Sequence, residues 1–342
     1  MFHRKSSNLS TKLFKLSFVL FLGLMLLFPT ASLEGAKRGL LLWFNTILPS
    51  LLPFIIVSTL IIRLNIASAL CRLLHPIIGK FFHVSQNACY PIVIGFLSGI
   101  PMGAKTSADL VKDKKITAPE GQFLALLSNN ASPMFILGYI ALSELHLPNT
   151  RLIFILLLYG SAILTAFLFR RFYTYFTDEQ YTSVLPPKTL SELTSGKVYA
   201  QSTDITSPKK GRSFKIDFTV IDAAIMDGFD VITKIGGYII LFSILAQIIL
   251  SFEQVNEYLR MLIVGICEIT IGIDTIANSC LETSTKIVLI LAVTSFGGFS
   301  GLAQTKSVFA DSGLSIRSYM KAKILNTLIT LCLALLYVKL VF

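Results

Sequence analysis

Long apolar runs recur along almost the whole chain and leave little polar surface for a water-soluble fold. The run from Leu152 to Phe169 contains no charged residue. Only 14% of the 342 residues are charged, whereas soluble domains average about 25%. The mean hydropathy is +0.72. We therefore expect an all-α polytopic membrane protein.

The net charge of +11 has a first use in a membrane protein, which is to set the orientation of the helices. We therefore expect membrane lipid to surround the chain, and no nucleic acid to bind it. The sequence leaves open a homo-oligomer or an assembly with other membrane proteins.

The order of polar and apolar segments divides the chain into four parts. Residues 1–34 hold a basic start and the apolar run Leu16 to Phe28, which fits an extra N-terminal helix or the core of a signal peptide; we favour the uncleaved helix. Residues 35–171 and 219–342 are apolar. Residues 172–218 are polar and turn-rich, which predicts a cytoplasmic linker.

The two apolar halves follow the same plan. Each contains a glycine-interrupted run that is short for a spanning helix, from Ala88 to Ala104 and from Met261 to Ile276. Each also contains a spanning run with a polar or glycine-rich break. We interpret the halves as repeats, each with a re-entrant hairpin and a broken helix.

Charge counting predicts how these repeats are oriented. If both interrupted runs are re-entrant, cytoplasmic segments hold 24 of the 30 Lys and Arg residues. One of these segments is taken to end at Lys323, directly before a last helix from Ile324 to Val341. If both runs span instead, the cluster Lys112 to Lys115 falls outside, against the positive-inside tendency. We therefore expect two inverted repeats, a recurring plan of transporters.

The first interrupted run carries candidate binding groups. Its glycines and proline free backbone N–H and C=O groups, and a lysine follows them, so the segment can hold an anion. The alternative is a tight hairpin whose lysine reaches the cytoplasmic surface. The candidates are Ser98, Gly99, Pro101, Gly103 and Lys105.

The second interrupted run places Glu268 among apolar residues, followed by Thr270. An ionisable group at membrane depth is costly, which favours a function. Glu268 can bind a cation, relay a proton or pair with Lys105. The alternatives are a structural partner for a helix terminus and a shallow interfacial carboxylate.

The two breaks in the spanning runs lie at matching positions, which indicates the binding site of a transporter. The alternative is that serine and asparagine join helices and that glycine allows close packing. The candidates are Asn129, Asn130 and Ser132 in the first break, and Gly297, Gly298, Ser300 and Gln304 in the second.

The sequence contains no His-Glu-x-x-His motif, no Gly-x-Ser-x-Gly motif, no phosphate-binding lysine loop and no dinucleotide fingerprint. We therefore expect a protein that is not an enzyme and that holds no metal or cofactor. Transport would depend on a gradient or on passive flow, and the sequence identifies no coupling ion.

Four segments in order resemble the YlbJ-type sporulation integral membrane proteins, which carry the Gate (nucleoside recognition) domain. The resemblance extends from about Gly39 to the end of the chain. The segments are Ser98-Gly-Ile-Pro-Met-Gly-Ala-Lys105, Ser128-Asn-Asn-Ala-Ser-Pro-Met-Phe135, Glu268-Ile-Thr-Ile-Gly272 and Phe296-Gly-Gly-Phe-Ser-Gly-Leu-Ala-Gln304.

The resemblance implies a role in endospore formation. For the best-understood family members this role is transport of dipicolinic acid from the mother cell towards the forespore, across the outer forespore membrane. It also implies kinship with nucleoside transporters whose two hairpins meet at the substrate. Other sporulation membrane proteins are the partners that this setting suggests.

Dipicolinate is a flat pyridine with two carboxylates, so its site needs positive or N–H-donating groups and small residues that admit a ring. The candidates above can supply them if Glu268 is protonated, bound to a cation or paired with Lys105, so that its state gates entry. Two other functions remain open: a carrier of nucleosides or other small solutes, and a non-transporting assembly protein of the spore envelope.

Overall fold

The computed structural model describes residues 3–64, 66–173, 218–252 and 254–341. The predicted cytoplasmic linker 172–218 lies almost entirely outside the described residues. Within the described ranges the regular structure is helical, which confirms the all-α prediction.

The α-helices are numbered in chain order. Their bounds are α1 His3–Leu27, α2 Pro29–Leu42, α3 Leu48–Arg63, α4 Ile66–Phe82, α5 Cys89–Ser98, α6 Met102–Lys112, α7 Ala118–Ser128, α8 Arg151–Tyr173, α9 Phe218–Leu250, α10 Glu257–Cys267, α11 Ile269–Ala277, α12 Thr283–Phe296, α13 Gly298–Val308 and α14 Ile316–Val341. Two π-helical segments, Trp43–Ile47 and Phe135–Glu144, complete the framework.

Membrane spans are supported by helix length and by the residues at the surface. Among the described residues, four helices are long and apolar enough to cross a membrane, and five if one bent pair counts as a span. Large apolar side chains such as Leu156 (70% exposed) and Leu336 (55% exposed) cover the outside. Such a surface is stable in lipid rather than in water, so the polytopic membrane protein is confirmed.

The N-terminal helix ends where the sequence places a proline. All but the last residue of the run Leu16 to Phe28 lies in the second half of α1, and the chain bends by 105° before the helix that starts at Pro29. Proline disfavours a helical conformation at the residue before it and fits the first turn of a new helix. The segment from α2 to α3 then packs along α9, where Gly35 and Gly39 allow close approach to Ser243.

Both interrupted runs form helical hairpins. In the first, Gly95 of α5 faces Gly103 of α6 across the turn; in the second, Gly265 of α10 faces Gly272 of α11. The four arms have 9 to 11 residues and are about 14–16 Å long, half of the roughly 30 Å hydrocarbon layer. Such arms fit re-entrant hairpins; the inverted orientation of the two halves stays a prediction.

Both predicted breaks interrupt helices. In the first half α7 ends at Ser128, and the helical path resumes in the π-helix Phe135–Glu144. In the second half α12 and α13 meet at Gly297, whose φ of 85° is in the left-handed region that glycine adopts readily. Each break lies beside a hairpin. The largest apolar cluster of the described residues includes Ala131 and Phe135 at the first break and Val293 just before the second.

Candidate functional site

The tips of both hairpins and both helix breaks line one cavity of about 70 Å³. A single water occupies about 10–15 Å³ by this measure, so the space holds roughly five. Eight of the fourteen predicted site residues line it: Ser98, Gly99, Ser132, Glu268, Thr270, Gly297, Ser300 and Gln304. The rest of the wall is mostly apolar and comes largely from α3, α9 and the π-helical segments, through Ile47, Leu51, Phe135, Ile235 and Ile239.

The first tip packs directly on the first break. Gly99 has a φ of 78°, and a Cβ there would lie 2.8 Å from the backbone nitrogen of Ser132. Pro101 is the N-cap residue that precedes α6, and it does not line the cavity. Gly103 also lies off the cavity, where its missing side chain lets α6 contact the carbonyl oxygen of Ser128. Pro101 and Gly103 therefore shape the hairpin rather than the wall.

Lys105 lies on α6 away from the cavity. Its amine pairs with Asp109 at 2.7 Å, one helical turn further on, and its side chain is 33% exposed. Since the Glu268 carboxylate bonds elsewhere, the predicted pair between Lys105 and Glu268 is not formed. The positive charge that the sequence analysis assigned to this hairpin is thus compensated within its own helix.

We expect Lys105→Met to lower the stability of the protein by no more than about 0.5 kcal/mol, because an i, i+4 pair of this exposure contributes only about 0.3–0.5 kcal/mol. Thermal unfolding in detergent measures this. A larger loss would mean that Lys105 stabilises the hairpin through more than its pair with Asp109.

Glu268 forms the tip of the second hairpin and is buried, with 2% exposure. Its Oε2 accepts hydrogen bonds from the backbone N–H of Ile271, at 2.9 Å, and from the Thr270 hydroxyl. It is therefore the N-cap of α11, where the helix dipole favours a carboxylate. Glu268 therefore both caps α11 and lines the cavity.

The second break packs on the second tip. A Cβ on Gly298 would lie 3.2 Å from Ile269 Cγ2, so Gly298 provides close packing and does not line the cavity. Within α13, Gln304 donates a hydrogen bond at 3.4 Å to the hydroxyl of Ser300, which lies one helical turn earlier. Both residues line the cavity.

Two tyrosines outside the predicted set hold these parts together. Tyr139 donates a hydrogen bond to the Thr270 carbonyl at 2.9 Å, and Tyr159 donates one to the Ala131 carbonyl at 3.0 Å. Arg38 of α2 also pairs with Asp274 of α11 at 2.5 Å. A single polar residue within an apolar stretch is the sequence signal for such a contact. The sequence does not show which group each of these side chains binds.

Asn129 connects three helices behind the cavity. Its amide nitrogen donates to the hydroxyls of Thr305, at 3.0 Å, and Tyr319, at 2.8 Å, and its Oδ1 accepts from the Ala104 N–H at 3.3 Å. Asn130 uses its Oδ1 to accept from Lys323 at 2.9 Å. Neither asparagine lines the cavity, so both position the first break.

The last helix corrects the sequence analysis. α14 starts at Ile316, eight residues before the predicted start at Ile324, and Lys323 lies within it, buried with 3% exposure. Tyr319, Lys323, Asn326 and Thr330 are all buried. Their spacing of four, three and four residues places them on one helical face. This periodic polar face is the sequence signal for the earlier start of α14.

Similarity to known proteins extends over nearly the full chain. The chain is 24% identical over 341 residues to the sporulation integral membrane protein YlbJ of Bacillus subtilis, and the match covers 94% of this chain and 81% of that protein. Neither a protein-family model nor a solved structure matches the chain. The resemblance to YlbJ-type proteins is therefore confirmed and is consistent with a membrane-associated role in sporulation, whereas the Gate domain stays a prediction.

Proposed function

We propose that this chain, which is similar over nearly its full length to a sporulation integral membrane protein, transports a small organic anion through the cavity between its two hairpins. Dipicolinate, moving from the mother cell towards the forespore across the outer forespore membrane, is the proposed substrate. The proposed membrane follows from the family resemblance.

One observation carries the proposal: two hairpin tips and two helix breaks, far apart in sequence, line the same cavity. Irregular backbone at membrane depth is tolerated where protein encloses it or where it lines a cavity. Interrupted helices that meet around one central space are a recurring architecture of substrate sites in secondary transporters.

The wall suits a flat solute with polar groups at its edge. Ile235, Ile239 and Phe135 offer apolar surface to a ring, while Ser132, Ser300 and Gln304 offer hydroxyl and amide groups to carboxylates. The cavity is small, so a pyridine dicarboxylate requires the tips and breaks to separate. Motion of a hairpin against its neighbouring break would provide alternating access.

Uptake into liposomes tests the proposal. Purified protein is reconstituted, and labelled dipicolinate is supplied with unlabelled dipicolinate or unlabelled nucleoside as competitor. The proposal expects saturable uptake that dipicolinate inhibits and nucleoside does not. Inhibition by nucleoside would favour a nucleoside carrier, and no uptake by folded, inserted protein would favour the spore-envelope assembly role.

Glu268 variants separate capping from gating. We expect Glu268→Gln to retain the fold because an amide oxygen can still accept the capping hydrogen bonds, whereas Glu268→Ala loses about 1 kcal/mol of stability. Thermal unfolding in detergent measures this difference. If the carboxyl group gates entry, the dependence of uptake on pH disappears in Glu268→Gln; an unchanged pH profile would assign the residue to capping alone.

A further inference from the structure

Charge-assisted hydrogen bonds to a carboxylate are about twice as strong as neutral ones, but none of the described residues that line the cavity is basic. Glu268 adds a carboxyl group to the wall. A cation for the substrate would therefore come from behind the wall, and the Lys105 amine is paired with Asp109.

Lys323 is a buried amine behind the first break. It is 3% exposed, and its Nζ donates to Asn130 Oδ1 at 2.9 Å and lies 5.7 Å from the centre of the Tyr319 ring. Among the described residues no carboxylate forms an ion pair with it. Burying an amine without a counter-charge costs free energy, and an apolar side chain would fill the same space without this cost. Packing alone therefore does not explain a lysine at this position.

Hydrogen bonds connect Lys323 and its helix α14 to both helix breaks. Asn130 directly precedes Ala131, which lines the cavity. One turn along α14, the Asn326 amide donates to the carbonyl oxygen of Ser295 at 3.3 Å, just before the second break. Lys323 thus lies where α14 crosses both breaks, and its flexible four-carbon stem allows the amine to change partner.

We infer that Lys323 is the counter-charge for one carboxylate of the transported anion, and that its amine exchanges Asn130 for that carboxylate when the tips and breaks separate. This inference rests on the proposed function and adds the binding group that the cavity wall lacks. In the absence of substrate, the amine donates to Asn130 Oδ1. This oxygen is a neutral acceptor, and a carboxylate displaces it because its hydrogen bond with the amine is stronger.

Binding to the purified full chain tests the inference. Calorimetry compares dipicolinate with picolinate, which has one carboxylate, and with the neutral pyridine-2,6-dicarboxamide. For Lys323→Met we expect the dissociation constant of dipicolinate to rise roughly tenfold to a hundredfold, the effect of one charge-assisted hydrogen bond. Binding of the dicarboxamide should not change. The control is Lys321→Met, which removes the same charge from an exposed position on the same helix.

A second variant keeps the lysine and changes its partner. Asn130→Asp supplies a permanent carboxylate to Lys323 and should weaken dipicolinate as strongly as Lys323→Met does. This variant keeps the test decisive if Lys323→Met does not fold, which size-exclusion chromatography reports.

Each outcome decides between the claims. Unchanged dipicolinate affinity in both variants, or equal weakening of all three ligands, would overturn the inference and leave the proposed function standing. Lys323-dependent binding of another dicarboxylate such as isophthalate, without binding of dipicolinate, would support the inference and reject the substrate. A folded wild type that binds no carboxylate would overturn both.

Discussion

Replacing Gly301 by valine is expected to lower uptake at least tenfold and to leave the protein folded. Gly301 lies in α13 and lines the cavity, and a Cβ there would be 3.9 Å from Ile100 Cγ2, an ordinary van der Waals contact. The backbone therefore accepts the side chain. Its methyl groups would occupy the space between the second break and the first tip and would keep substrate out.

Uptake of labelled dipicolinate measures transport by the Gly301→Val variant, and thermal unfolding measures whether it is folded. We expect uptake to fall at least tenfold, as when about one methylene group too many enters a fitted pocket, while the unfolding temperature stays close to that of the wild type. Gly160→Val is the matched control, because Gly160 is exposed on α8 and a Cβ there has no neighbour within 4 Å. Normal uptake by Gly301→Val would remove the cavity from the transport path.

Adding a single methyl group inside either hairpin is expected to destabilise the protein strongly. A Cβ on Gly103 would lie 2.4 Å from the Ser128 carbonyl oxygen, and one on Gly272 would lie 2.3 Å from the Cα of Gly265. Both neighbours are backbone atoms that cannot turn aside. We expect Gly103→Ala and Gly272→Ala to lose about 1–3 kcal/mol of stability or more, the usual cost of overpacking.

The loss of monodisperse protein after a heat step, followed by size-exclusion chromatography, measures this effect. Gly237→Ala is the control, since Gly237 lies on the exposed side of α9 with no atom within 4 Å of an added Cβ. Heat stability of Gly103→Ala and Gly272→Ala equal to that of this control would mean that Gly103 does not pack on Ser128, and Gly272 on Gly265, as closely as described.

The sequence was sufficient to predict the parts of the site that depend on backbone chemistry. Glycine and proline interrupt helices for local reasons, so the tip at Gly99 and the breaks near Asn129 and Gly297 could be located from residue type and run length. Neither residue type marks the tip at Glu268, which could be predicted only to lie within an interrupted run. Their meeting around one cavity followed from the expected repeat of the two halves.

The partners of individual polar side chains could not be predicted in the same way. Lys105 was assigned to the site because it follows the tip, but Asp109 at i+4 compensates its charge. Lys323 was counted as a cytoplasmic charge because an apolar run follows it, yet it lies on a buried face of α14. Which face of a helix is buried depends on tertiary packing, and a single sequence reveals it only through weak periodicity.

Protection of a cavity cysteine by substrate tests the central claim most directly. In a variant without the five native cysteines, Ser300→Cys places a thiol on the cavity wall, and Ser307→Cys places one on the exposed side of the same helix. The account predicts that saturating dipicolinate slows modification of Cys at position 300 by a water-soluble thiol reagent and leaves position 307 unaffected. Equal modification rates at position 300 with and without dipicolinate, in folded protein, would contradict it.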